Sequence, residues 1–174
     1  MNKPAANNPM PDKTTRDLLI QFSEAKKALR ERGVIRSERF TGELGEWLVE
    51  TAHRGQRAEG TTQKGWDIKL MSDGKPLKLQ VKAHAKGDNN PARWTNISRD
   101  SLDHFDRLVI VVMTNDYFIK EWLEIPVENV KRLIVQSGKS TIIQWKDAKD
   151  FTVDWKSLPG YQDISDFEMP RKAR

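Results

Sequence analysis

The chain has 174 residues and a mass of 20.1 kDa, with 37% hydrophobic and 32% charged residues, the proportions of one soluble globular domain. It contains no cysteine, which excludes disulfide scaffolds, thiol nucleophiles and Cys-ligated zinc. The formal net charge of +5 and a pI near 9.4 favour a polyanionic partner, because clustered Lys and Arg displace counterions from phosphates.

Residues 1–13 read as a disordered leader, polar, with three prolines and no apolar segment of the signal-peptide kind. One domain is expected over 14–174. The longest unbroken apolar run, Leu108 to Met113, is far shorter than the ~20 residues of a membrane span, so the expected setting is the cytoplasm, with no membrane contact.

Thr14 or Thr15 can cap a first helix, with Asp17 in the turn where the helix dipole favours an acid. Leu18, Phe22, Ala25 and Leu29 give it an apolar stripe, and Gly33 is a natural stop. A second helix starts near Thr41, with Leu44, Trp47, Leu48 and Ala52 facing the core and Glu43, Glu46 and Glu50 along its border. Two alternating segments follow, Trp66 to Met71 and Leu77 to His84, joined through Asp73-Gly74, a strong hairpin signal. After a polar loop and a short helical stretch near Ser98 to His104, Leu108 to Met113 reads as a strand buried on both faces. Tyr117 to Ile125 reads as its antiparallel neighbour. Pro126 suits the first turn of a helix that extends to Val135, Ser140 to Trp145 forms a last strand, and Trp155 and Tyr161 pack down an irregular tail. This order predicts an α/β fold, a central mixed sheet flanked by helices, with an extra N-terminal helix.

Centring the hairpin on Asp73-Gly74 sets its register. Ile68 then faces Leu79, Leu70 faces Leu77 and Trp66 faces Val81, all on one apolar face. The other face places Asp67 across from Gln80, with Lys82 diagonal to it. A slip of one residue would drive charges into the core. Gly65 allows a close backbone approach at the start of the first strand, and Glu46 on the preceding helix is a carboxylate free to point at the same place.

Glu46, then Gly65-Trp66-Asp67, then Gln80-Val81-Lys82 resemble the active-site signature of the PD-(D/E)xK nuclease superfamily, over roughly residues 40–145. The resemblance implies a restriction-endonuclease-like three-layer core of order αβββαβ. It implies a metal-dependent nuclease acting on double-stranded DNA, foremost a DNA endonuclease of restriction or other defence, with repair or junction cutting as the other role of the same core. Cutting both strands of a duplex would most simply use a homodimer. Asp67 takes the place of the first acid and Lys82 that of the lysine. Gln80 stands where Asp or Glu is usual, so it offers a carbonyl oxygen but no charge. The implied metal ligands are Asp67, Gln80, the Val81 backbone carbonyl and Glu46, for Mg²⁺, with Mn²⁺ able to substitute, because every donor is oxygen. The alternative is a nucleic-acid-binding module or subunit that keeps the fold and does not cut.

His53, His84 and His104 lack metal-ligand spacing. His84 shares the strand face of Gln80 and Lys82 and is a candidate phosphate contact. Lys86, Asn89, Asn90, Arg93, Trp94 and Asn96, in the loop leaving that strand, carry the groups that hydrogen-bond to or stack on bases. Trp122 and Trp145 read as core. No phosphate-cradling Gly-rich loop or serine nucleophile elbow is present.

Overall fold

The computed structural model describes residues 13–31, 40–58, 65–85 and 93–170. The leader expected over 1–13 lies, but for Lys13, outside the described residues, as does Gly33.

Helix α1 spans Thr15–Glu31. Thr14 caps it, its Oγ1 accepting the Asp17 backbone N–H at 3.1 Å, while the Asp17 carboxylate accepts the Thr14 N–H at 3.0 Å. This is a reciprocal cap of the capping-box kind. The buried face of α1 is not the expected stripe. Leu18 and Phe22 are 37% and 40% exposed, whereas Arg16, Leu19 and Lys26 are buried. The reason is that Lys26 buries its alkyl stem and finds a hydrogen-bond partner for its head, while Arg16 buries its guanidinium too, against a ring face and with no hydrogen-bond partner for its nitrogens among the described residues. Arg16 lies over the Phe118 ring, 3.6 Å from its centre, and the Lys26 ammonium donates to the Tyr117 hydroxyl at 2.7 Å.

Helix α2 spans Phe40–His53 and ends where Arg54 takes a left-handed conformation, φ 52°. A short strand β1 (Gln56–Arg57) leads towards the hairpin of β2 (Ile68–Ser72) and β3 (Lys75–His84). The hairpin has the predicted register, with Ile68 opposite Leu79 and Leu70 opposite Leu77. Asp73 and Gly74 both have positive φ, as that turn requires.

After β4 (Trp94–Asn96) and one short 3-10 turn come β5 (Arg107–Met113) and β6 (Ile119–Pro126). Strand β5 runs parallel to β3 and antiparallel to β6. The central sheet is thus mixed, in the order β1-β2-β3-β5-β6. Helix α3 (Val127–Leu133) follows, and then β7 (Val135–Ser137) and β8 (Ser140–Gln144). The last predicted strand, β8, does not close the central sheet. It pairs with β4 and β7 in a second, three-stranded sheet.

Apolar burial forms two cores, one on each face of the central sheet. One lies beneath α1 and α2 and includes Leu48, Val81, Val111, Trp122 and the tail residues Trp155 and Phe167. The other lies beneath α3 and the second sheet and includes Leu108, Ile110, Ile125, Ile143 and Trp145. No helix among the described residues is long and apolar enough to cross a membrane.

Candidate functional site

The β2–β3 ladder stops at Ile68 and Leu79, and β3 runs on for five residues flanked by β5. Asp67 stands at this fork. Its N–H donates to the Leu79 carbonyl at 2.8 Å, and its carbonyl accepts from the Ala58 N–H at 2.8 Å. Its carboxylate then accepts the Val81 backbone N–H at 2.7 Å and a very short hydrogen bond from the Gln80 side-chain amide. Where β2 leaves β3, a side chain therefore takes the donor that a strand would otherwise have used.

The fork also moves Trp66. Its expected place opposite Val81 on the first core is not observed; it packs against the second core, while Val81 stays in the first. Departure from the ladder at Asp67, and Gly65 at φ 93°, turn the chain across. Gly65 is needed for space as well, because a Cβ there would lie 2.1 Å from the His104 Cβ.

Glu46 arrives from the other layer. Gly45, the residue before it, rests on Ala83, and a Cβ at Gly45 would lie 2.2 Å from the Ala83 Cβ. This contact lets α2 approach β3 closely and sets Glu46 near the fork. Burial, then the charge of Asp67, pushes the Glu46 pKa up, opposed by Arg57 and Lys82. The Asp67 pKa is raised by burial, against the Val81 N–H and Lys82. The charge of Lys82 thus acts on both carboxylates. The other two helical acids stand apart: Glu50 is paired with Arg57 at 2.8 Å, and Glu43 is exposed.

Asp67, Gln80, Lys82 and Glu46 are therefore brought together as the sequence suggests. Among the described residues no three His, Asp or Glu side chains form a ready-made metal cage. Two carboxylates, Asp67 and Glu46, come near each other there, and the Gln80 amide nitrogen faces the Asp67 carboxylate and, at 3.5 Å, the Val81 carbonyl. Two half-buried acids with raised pKa values, sharing the influence of one lysine, fit a hard divalent cation, which would lower both.

Of the expected nucleic-acid contacts, Lys86, Asn89 and Asn90 lie outside the described residues. His84 is engaged within the protein: Nε2 is 2.8 Å from the Thr95 hydroxyl, and the ring meets Trp145 edge-on. Arg93 forms a very short ion pair with Glu121 and lies over Trp145. Both residues tie β3 and β6 to the second sheet. Trp94 and Asn96 are exposed on β4. Residue patterns did not single out Arg99, Gln136 and Lys139, which line a cleft with Lys82. They are far apart in the chain and no periodicity links them.

Helix α2 packs against the antiparallel β2–β3 hairpin, with β5 parallel to β3, so the fold is α/β with a mixed central sheet between helices. No protein-family model and no curated protein matches the chain. Among solved structures it is similar to the bacterial homing endonuclease I-Ssp6803I, at 16% identity and a TM-score of 0.40, over 60% of this chain and 82% of that one. It is also similar to Hjc, a Holliday junction resolvase from Archaeoglobus fulgidus, at 13% identity and a TM-score of 0.40, over 76% of this chain and 97% of that one.

Proposed function

We propose that this protein is a Mg²⁺-dependent nuclease that hydrolyses phosphodiester bonds in DNA. The observation that carries the reading is the fork, where Asp67, just before β2, meets Gln80 and Lys82 of β3 and Glu46 approaches from α2. Asp67, the Gln80 amide oxygen, the Val81 carbonyl and Glu46 would hold the metal, and Mn²⁺ could replace Mg²⁺. A bound divalent ion would supply an activated water and charge neutralisation at the phosphate. Asp67 and Glu46 contribute the negative charge that selects a cation. Gln80 contributes an oxygen without charge, so affinity rests on the two acids. The Lys82 ammonium puts positive charge where the attacked phosphate becomes more negative and orients the incoming oxygen.

A non-cutting nucleic-acid module is the second reading. It is favoured by the Gln80 amide donating to Asp67, a contact that satisfies the carboxylate with no cation. Incubation with plasmid, single-stranded DNA and RNA, in Mg²⁺ or in EDTA, separates the two. The nuclease reading expects cleavage that EDTA abolishes. Cleavage indifferent to EDTA would end the metal mechanism, and binding without cleavage in Mg²⁺ or Mn²⁺ would leave the second reading. Cutting both strands of a duplex would call for two copies about a two-fold axis, which sedimentation on and off DNA would detect.

A further inference from the structure

A cleft of about 550 Å³ opens beside Lys82. One wall is the chain leaving β4, with Asn96, Arg99 and Asp100, and the other is the β7–β8 hairpin, with Gln136 and Lys139. Three cations line it against one carboxylate. Arg99 and Lys139 are exposed, and neither forms an ion pair among the described residues. Both charges are therefore available to an anion that extends from Lys82 along the cleft.

Trp94 adds a second, independent observation. Of the six tryptophans it alone is classed as exposed, at 37%, and the other five all pack into or against one of the two cores. Trp94 and Asn96 lie two residues apart on β4, hence on one face of it, and Asn96 lines the cleft. A partly exposed indole on the strand that also carries Asn96 is a platform for stacking an unpaired base. A duplex keeps its base faces stacked inside, beyond the reach of such an indole.

We infer that this cleft binds an unpaired nucleic-acid strand, its phosphates on Arg99 and Lys139 and a base on Trp94, and leads the backbone to Lys82. The inference rests on the nuclease reading for what happens at Lys82, but the binding itself does not need it. It makes the substrate of the site a single strand, or the unpaired part of a branched one, rather than an intact duplex.

The test is binding in EDTA, by fluorescence anisotropy, of labelled oligonucleotides of about 12 nucleotides. The arms are single-stranded DNA, RNA of the same sequence, and the duplex. Single strands of at least one sugar type should bind more tightly than the duplex. Arg99→Ala and Lys139→Ala should each weaken that binding several-fold and reduce the salt slope by roughly 0.7–1. Trp94→Ala should weaken it by about tenfold, and Trp94→Phe, which keeps a ring face, should restore most of it. Unchanged melting temperatures would show that the variants are folded. Preference for the duplex, or folded variants that bind like wild type, would overturn the inference. Asp67→Asn separates the two proposals, since it should stop cleavage and leave this binding intact. Loss of binding in the cleft variants with no cleavage by wild type would sink the nuclease reading alone. Asp67-dependent cleavage with unaltered binding in the cleft variants would sink the cleft alone.

Discussion

The Asp67 carboxylate accepts the Val81 backbone N–H at 2.7 Å, so a proposed metal-binding side chain is also a structural partner of the strand that carries Gln80 and Lys82. Removing the charge and removing the acceptor should therefore have different effects. Asp67→Asn keeps an oxygen for the Val81 N–H and should abolish cleavage with little change in melting temperature. Asp67→Ala strands that donor and should cost about 1–3 kcal/mol as well. Lys82→Ala should abolish cleavage yet leave metal binding intact. Denaturant melts beside a plasmid-cutting assay distinguish the three.

Gln80→Glu replaces the amide that donates to Asp67 with a second carboxylate. Without metal the two acids should repel, and the melting temperature should fall. Adding Mg²⁺ should more than restore it, and activity at limiting metal should survive or rise. A loss of stability that Mg²⁺ does not rescue would remove Gln80 from the ligand set.

Glu46 gives a pH test. Its pKa is raised on folding, by burial first and then by Asp67. An acid of this kind costs the fold nothing while protonated in both states, and opposes folding once pH exceeds its ordinary value of 4.5. Glu46→Gln should therefore melt higher than wild type at pH 7 in EDTA, and the gap should close below about pH 4.5. Equal melting temperatures at both pH values would mean that Glu46 does not feel the site.

Glu124 behaves in the opposite sense. Burial alone would raise its pKa, but hydrogen bonds from Arg107 and Trp122 and the contact with His53 outweigh burial and lower it to about 2. The stability it contributes is present above pH 4.5 and is lost as pH falls from there towards 2. Glu124→Gln should cost on the order of 3 kcal/mol at pH 7, by a shift of over two pKa units, with the difference shrinking through that window. Urea melts at pH 7, 4 and 2.5 would show the convergence.

The hairpin was legible because period-two alternation and a strong turn signal fix a register, and that register alone gathers Asp67, Gln80 and Lys82. Trp66 was not, since the ladder ends at Ile68, two residues before the pattern does. The face of α1 was misread because Arg16 and Lys26 count as polar in a pattern but bury their stems in the fold. Glu46 was one of three acids on a helix border, and only the ion pair of Glu50 with Arg57 and the seat of Gly45 on Ala83 separate it from the others. The second sheet lay outside what pattern could give. Strands of three residues such as β4 and β7 carry too little periodicity, and one was read as loop and the other as the helix end.

Glu46 belongs to the layer above the central sheet, whereas the β3 face that carries Gln80 and Lys82 turns towards the layer below it. Neither layer holds the whole constellation. Loosening α2, by local opening well short of global unfolding, would separate Glu46 from Asp67 and Lys82 while most of the backbone stayed protected from hydrogen exchange. Catalytic competence would then have a narrower range of temperature and denaturant than the fold itself, and would report on the docking of α2.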